Sequence, residues 1–180
     1  MPLGQGFNRG EVRQVLSFQA NGLLALNGST PRVSTDNGLN WAERVNGLPT
    51  VRLSGRQHNQ LAVAFLPEPM FFFASRAYDS INGKRVQMRY LHYSTDLGRN
   101  WIALAQFKED NRTPSVTVTR RSQKDGYDFD VYFADGACGI MRCSASTEPE
   151  CTSRTGRTSG TTIAILPISV LPMTERLLCL

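Results

Sequence analysis

The sequence predicts an all-β chain built from about three four-stranded antiparallel units. Short runs rich in aromatic and β-branched residues alternate with Gly, Pro and Asn along most of its length. An octapeptide, Ser34-Thr35-Asp36-Asn37-Gly38-Leu39-Asn40-Trp41, returns 60 residues later as Ser94-Thr95-Asp96-Leu97-Gly98-Arg99-Asn100-Trp101, with six of its eight positions identical. No sustained helical periodicity precedes residue 160.

The second unit shows the strands most clearly. Residues 61–65 and 70–74 are apolar runs separated by the turn-forming Pro67-Glu68-Pro69; residues 86–93 form a third strand and 101–105 a fourth. The first unit follows the same plan, with strands at 12–18 and 23–26 and with Trp41 opening its fourth. In the third, residues 116–119, 129–134 and 140–143 supply strands. Its signature turn has decayed, because Ser146, Glu148 and Cys151 stand where Asp, Gly and Trp are expected. The units therefore cover about 10–45, 61–105 and 115–150, within a region bounded at 1–151. Residues 152–162 are all Ser, Thr, Arg or Gly and read as a solvated linker. Residues 163–180 form an apolar tail broken by Pro167 and Pro172 that matches none of the units.

Composition narrows the function classes. A chain of 180 residues with 41% apolar and 19% charged residues is long enough for a real core and too apolar for disorder. No run reaches the roughly 18 apolar residues of a membrane-spanning helix, so no membrane partner is expected. The N-terminal stretch has no apolar segment of the secretory type. The net charge of +5 is spread over scattered arginines without a basic stripe, so no nucleic-acid partner is expected either. Cys138, Cys143, Cys151 and Cys179 lack the paired spacing of a zinc site, and neither metal nor cofactor is expected.

The octapeptide has a local physical logic. An Asp at a tight turn accepts backbone N–H bonds from residues just ahead. The Gly two places on adopts positive φ without steric cost, the Ser hydroxyl bonds the turn, and the Trp folds back over it. Asp36 and Asp96 are thus hairpin staples. A carboxylate holding several backbone donors has a depressed pKa and is a poor proton donor.

These residues resemble the Asp-box, or BNR repeat, of sialidases and other Asp-box β-propellers. The resemblance spans roughly residues 10–150 and rests on Ser34, Asp36, Gly38 and Trp41 and on Ser94, Asp96, Gly98 and Trp101. It implies a partial β-propeller of about three blades, with the box on the turn between the third and fourth strands. Propellers close with roughly four to eight blades, so the resemblance also implies a fragment, with further blades supplied by a longer parent chain or by self-association. It would place the parent outside the cell or in the periplasm. No Phe/Tyr-Arg-Ile-Pro tetrapeptide of the sialidase kind occurs, and the sialidase catalytic set cannot be matched position by position, so no catalytic residue is assigned. The expected function is glycan recognition without complete catalytic machinery. The alternatives are a fragment of an exo-acting, sialidase-type glycoside hydrolase and a protein-binding propeller similar to sortilin-type or photosystem assembly proteins.

Alternating strand direction puts the boxes on one rim and directs the search for a ligand site to the other. There, residues 75–85 read as a conspicuous loop carrying Arg76, Tyr78 and Asp79, residue types that bind sugar hydroxyls and carboxylates. Its other reading is a polar hairpin closed by Asn82-Gly83. Arg52 and Arg56 fall on the same rim.

Overall fold

The computed structural model describes residues 12–50, 59–66, 68–108, 115–120, 129–134, 140–143, 151–154 and 178–179. Among them there is no helix. The first sheet is an antiparallel meander of β1 (Val12–Gln19), β2 (Gly22–Asn27), β3 (Thr30–Ser34) and β4 (Ala42–Glu43). The second contains β5 (Asn59–Leu66), β6 (Glu68–Ile81), β7 (Lys84–Ser94) and β8 (Ile102–Lys108) in the same order. The third contains β9 (Ser115–Arg120), β10 (Phe129–Ala134), β11 (Ile140–Cys143) and β12 (Cys151–Arg154). The sheets stay separate and do not close on one another.

Sheet order follows chain order because each strand turns tightly into the next. β2 and β3 are joined through Gly28 at positive φ, and β6 and β7 through Asn82 and Gly83, with φ of 52° and 73°. Those angles belong to the two-residue hairpin turn that Asn-Gly favours. Residues 75–85 are therefore not a loop. β6 and β7 continue as a paired ribbon from the body of the sheet to that turn, in unbroken register from Phe71↔Ser94 to Ile81↔Lys84. One further expectation is corrected. Thr152–Arg154, the start of the expected linker, pairs with β11 as part of β12. Within the apolar tail, β13 (Leu178–Cys179) adds in parallel to the outer edge of β8, at Gln106 and Phe107.

The second sheet lies between the other two, and this explains its uninterrupted apolar run. Strand alternation sends Phe71 and Phe73 to one face and Met70, Phe72 and Ala74 to the other. The first pair packs with Leu61 and Trp101 against Phe18, Leu24, Leu26 and Val33 of the first sheet. Phe18 meets Phe71 edge-on, with ring centroids 4.9 Å apart. The opposite set packs with Leu91 and Tyr93 against Val116 and Val131 of the third. Burying a side chain of this size stabilises the fold by about 1.5–3 kcal/mol, so the two cores hold the sheets face to face.

Glutamines tie the sheets edge to edge as well. The Gln14 side-chain amide donates to the Leu61 carbonyl and accepts from the Leu61 N–H, both at 2.8 Å. Gln60 accepts the Val116 N–H at 2.9 Å. Each thereby satisfies an edge-strand backbone group that the sheet ladder cannot reach.

Candidate functional site

The two octapeptides form the same corner. In the first, the Ser34 hydroxyl donates to Asp36 Oδ1 at 2.7 Å and accepts the Gly38 N–H at 2.8 Å. Asp36 Oδ1 accepts the Asn40 N–H at 2.9 Å, and Oδ2 accepts the Asn40 side-chain amide at 2.7 Å. In the second, Ser94, Asp96, Gly98 and Asn100 repeat this set at 2.8, 2.9, 2.9 and 2.7 Å. Gly38 and Gly98 have φ of 86° and 76°, and the ring of Trp41 or Trp101 covers each of them.

These bonds set the electrostatics. The Asn40 backbone N–H, the Asn40 side-chain amide and the Ser34 hydroxyl hold the Asp36 carboxyl at a pKa of about 2. Burial pushes Asp96 up, but the matching donors of Asn100 and Ser94 outweigh it and leave the pKa below the ordinary value. Both groups are carboxylates at neutral pH with their oxygens committed to the turn.

The indole partners differ. Trp41 Nε1 donates to Gly38 O of its own turn at 2.9 Å. Trp101 Nε1 instead reaches Arg44 O, at 3.0 Å, in the segment that leaves the first sheet. That segment lies across the second corner. Asn46 O accepts the Trp101 N–H at 2.9 Å, and the Asn46 side chain donates to Asn100.

The ribbon occupies the other end of β7 from the second corner, so it lies at the end of the sheet away from that octapeptide turn. Its register separates the residues that the sequence grouped together. Arg76 and Tyr78 share one face, the one turned toward the third sheet, whereas Asp79 projects from the other. Asp79 Oδ2 accepts the Tyr90 hydroxyl at 2.8 Å and the Gln106 amide at 3.3 Å, and Oδ1 accepts the Ser80 N–H at 2.8 Å. Tyr90 in turn stacks on buried His92, at 5.5 Å between centroids. Arg52 and Arg56 lie outside the described residues.

On the Arg76 face, Arg89 stands directly across the ladder, and the two residues are only 7% and 3% exposed. Burial, followed by the charge of Arg89, lowers the pKa of the Arg76 guanidinium. Nearer the tip, the Arg85 guanidinium lies 3.7 Å from the centroid of the Tyr78 ring. Three guanidinium groups thus share one face of one hairpin. Arg89 and Arg85 were not singled out from the sequence, although counting outward from Asn82-Gly83 pairs Arg76 with Arg89 and puts Arg85 diagonally across from Tyr78. Comparison with protein-family models, curated proteins and solved structures finds no match to this chain. Among the described residues no cluster of His, Cys, Asp and Glu could hold a metal, and no helix is long and apolar enough to cross a membrane.

Proposed function

We propose that this chain is a non-catalytic Asp-box module that recognises glycan through the β6–β7 ribbon, with its three sheets as consecutive blades of a partial propeller. One observation carries the reading: two octapeptides close two corners with one shared set of hydrogen bonds, each between the third and fourth strands of a meander. Its similarity to the sialidase-type repeat supports the fold, and the ribbon supports the location. Tyr78, Arg85 and Gln87 present an aromatic ring, a cation and an amide on the rim opposite the boxes, groups suited to sugar hydroxyls and acidic substituents.

The state of the acids favours binding over hydrolysis. Glycoside cleavage asks for one carboxyl that releases a proton to the leaving group and a second that attacks or activates water. Asp36 and Asp96 are held ionised within their turns, and Asp79 holds three donors across the ribbon. The test is a glycan array probed with the purified chain, alongside hydrolysis of a fluorogenic sialoside panel. Binding that Tyr78→Ala weakens, with no turnover, is the expected result. Turnover that Asp79→Ala abolishes would establish the sialidase-type hydrolase instead.

A further inference from the structure

We propose that Cys143 and Cys151 form a disulfide that closes the third sheet at the corner where the octapeptide is lost. β11 and β12 pair antiparallel, and the ladder sets Cys143 directly opposite Cys151. Opposed residues in such a ladder stand about 4.5 or 5.5 Å apart at Cα and share one face of the sheet. A disulfide spans about 4.4–6.8 Å between Cα atoms, so either kind of opposed pair can be bridged with the backbone in place. Cys179, by contrast, stands on β13 in the second sheet, and Cys138 lies outside the described residues.

The place of the pair in the repeat gives the bond its role. In the first two sheets the third and fourth strands are joined by an octapeptide whose Ser and Asp side chains tie the turn. Between β11 and β12, Ser146 and Glu148 stand where the Asp and Gly belong, and Cys151 itself takes the Trp position. The pairing is also one residue tighter. Val33↔Ala42 and Tyr93↔Ile102 each enclose eight residues, whereas Cys143↔Cys151 encloses seven. That shift brings the residue in the Trp position, rather than its successor, opposite the end of the third strand. β12 is a four-residue strand at the edge of its sheet. So short an edge opens readily, and a covalent bond at its first residue holds it where the hydrogen-bonded corner is missing. Neither the register nor the lost octapeptide depends on what the β6–β7 ribbon binds.

The bond needs an oxidant, and a small-molecule disulfide such as glutathione disulfide supplies it. The thiolate of one cysteine attacks that disulfide, forming a mixed disulfide and releasing one glutathione thiolate. The thiolate of the second cysteine then displaces the other glutathione. The two cysteines lose two electrons and their two protons as two glutathione thiols are formed.

The test is peptide mapping of the full chain after oxidation with glutathione disulfide and alkylation of the remaining thiols. Trypsin, cutting after Arg142 and Arg154, should release residues 143–154 as one unalkylated peptide, lighter by two hydrogens than its reduced form. Cleavage after Glu150 should leave the two pieces joined until a reductant is added. The same linkage should form when Cys138 and Cys179 are both replaced by Ser. Dithiothreitol should lower the thermal midpoint of the oxidised chain by about 5–10 °C, the scale of a short-loop disulfide in a chain of this size. It should also speed hydrogen exchange at the Thr152 to Arg154 amides, and Cys143→Ser should match the reduced chain in both readouts. Alkylation of both thiols within residues 143–154 after oxidation would overturn the proposal. So would either cysteine joined to Cys138, to Cys179 or to a second chain. A Cys143–Cys151 bond that leaves midpoint and exchange unchanged would overturn its role in closing the corner.

Discussion

The acid of each octapeptide is held by donors from its own turn, and this makes the corner sensitive to protonation. A carboxyl whose folded pKa is depressed contributes stability above its unfolded pKa and loses that contribution as pH falls through the folded value. For Asp36 the window runs from an ordinary value of 3.8 down to about 2; Asp96 shifts in the same direction. Urea unfolding midpoints should therefore fall on acidification through that window, and Asp36→Asn together with Asp96→Asn should flatten this dependence. A wild-type midpoint that does not change between pH 5 and pH 2.5 (assay conditions bracketing the reference carboxyl values) would show that the corner bonds contribute nothing. At one of the two positions where the octapeptides differ, the backbone angle is shared and the side chain is not. Asn37 and Leu97 both adopt left-handed φ, 56° and 58°. Asn tolerates this region readily, whereas Leu97 is held there while packing against the core shared by the first two sheets.

At the scale of elements, the segment that follows β4 couples neighbouring sheets. Gly47 has φ of 84°, and a Cβ there would stand 2.1 Å from the Trp101 carbonyl oxygen. Backbone on both sides leaves nothing to yield cheaply, so Gly47→Ala must displace the segment from the second corner. The expected cost is about 1–3 kcal/mol from strained backbone and lost bonds, read as a lower thermal midpoint, with faster hydrogen exchange at the Trp101 amide. Unchanged exchange at that amide would mean that the segment does not hold the corner. This coupling was not legible in the octapeptides. Their own bonds close within eight residues, but the Trp101 indole finds its acceptor 57 residues away. The ribbon is a middle case. Asn82-Gly83 announces a hairpin, and once that turn is set every cross-strand partner follows by counting. A stretch dense in polar residues nonetheless reads as a loop until the length of the pairing is known.

The whole molecule shows why equivalent residues have unequal worth. Ser34 pairs with Leu23 as Ser94 pairs with Phe71; two residues on, Ala25 pairs with Val15 as Phe73 pairs with Leu61. Val15 and Leu61 therefore hold the same place in successive sheets, yet they are 51% and 1% exposed. The second sheet is covered there by the first. On the outward side of the first sheet, the positions of Phe73 and His92 are taken by Ala25 and Arg32, and Arg32 pairs with Glu43 at 3.0 Å. Ala25 and Arg32 are themselves buried, at 0% and 9% exposed, so this face opens to solvent at Val15 rather than along its whole extent. Leu61→Ala should cost about 2–5 kcal/mol and Val15→Ala no more than about 0.5 kcal/mol, measured by urea denaturation. Similar losses at both sites would mean that Val15 is also packed into a core.

What the amino-acid order determined by itself was whatever closes locally: the two corners, the alternation of apolar residues, the Asn82-Gly83 turn and the sequence of strands within each sheet. Bonds spanning a few residues depend on little beyond those residues. The tertiary structure alone decided that Asp79 and Arg76 face apart, that Trp101 answers to Arg44, and that Leu61 is core while Val15 is surface. Those outcomes depend on which sheet lies against which face, and that is settled by burying apolar surface contributed from distant parts of the chain.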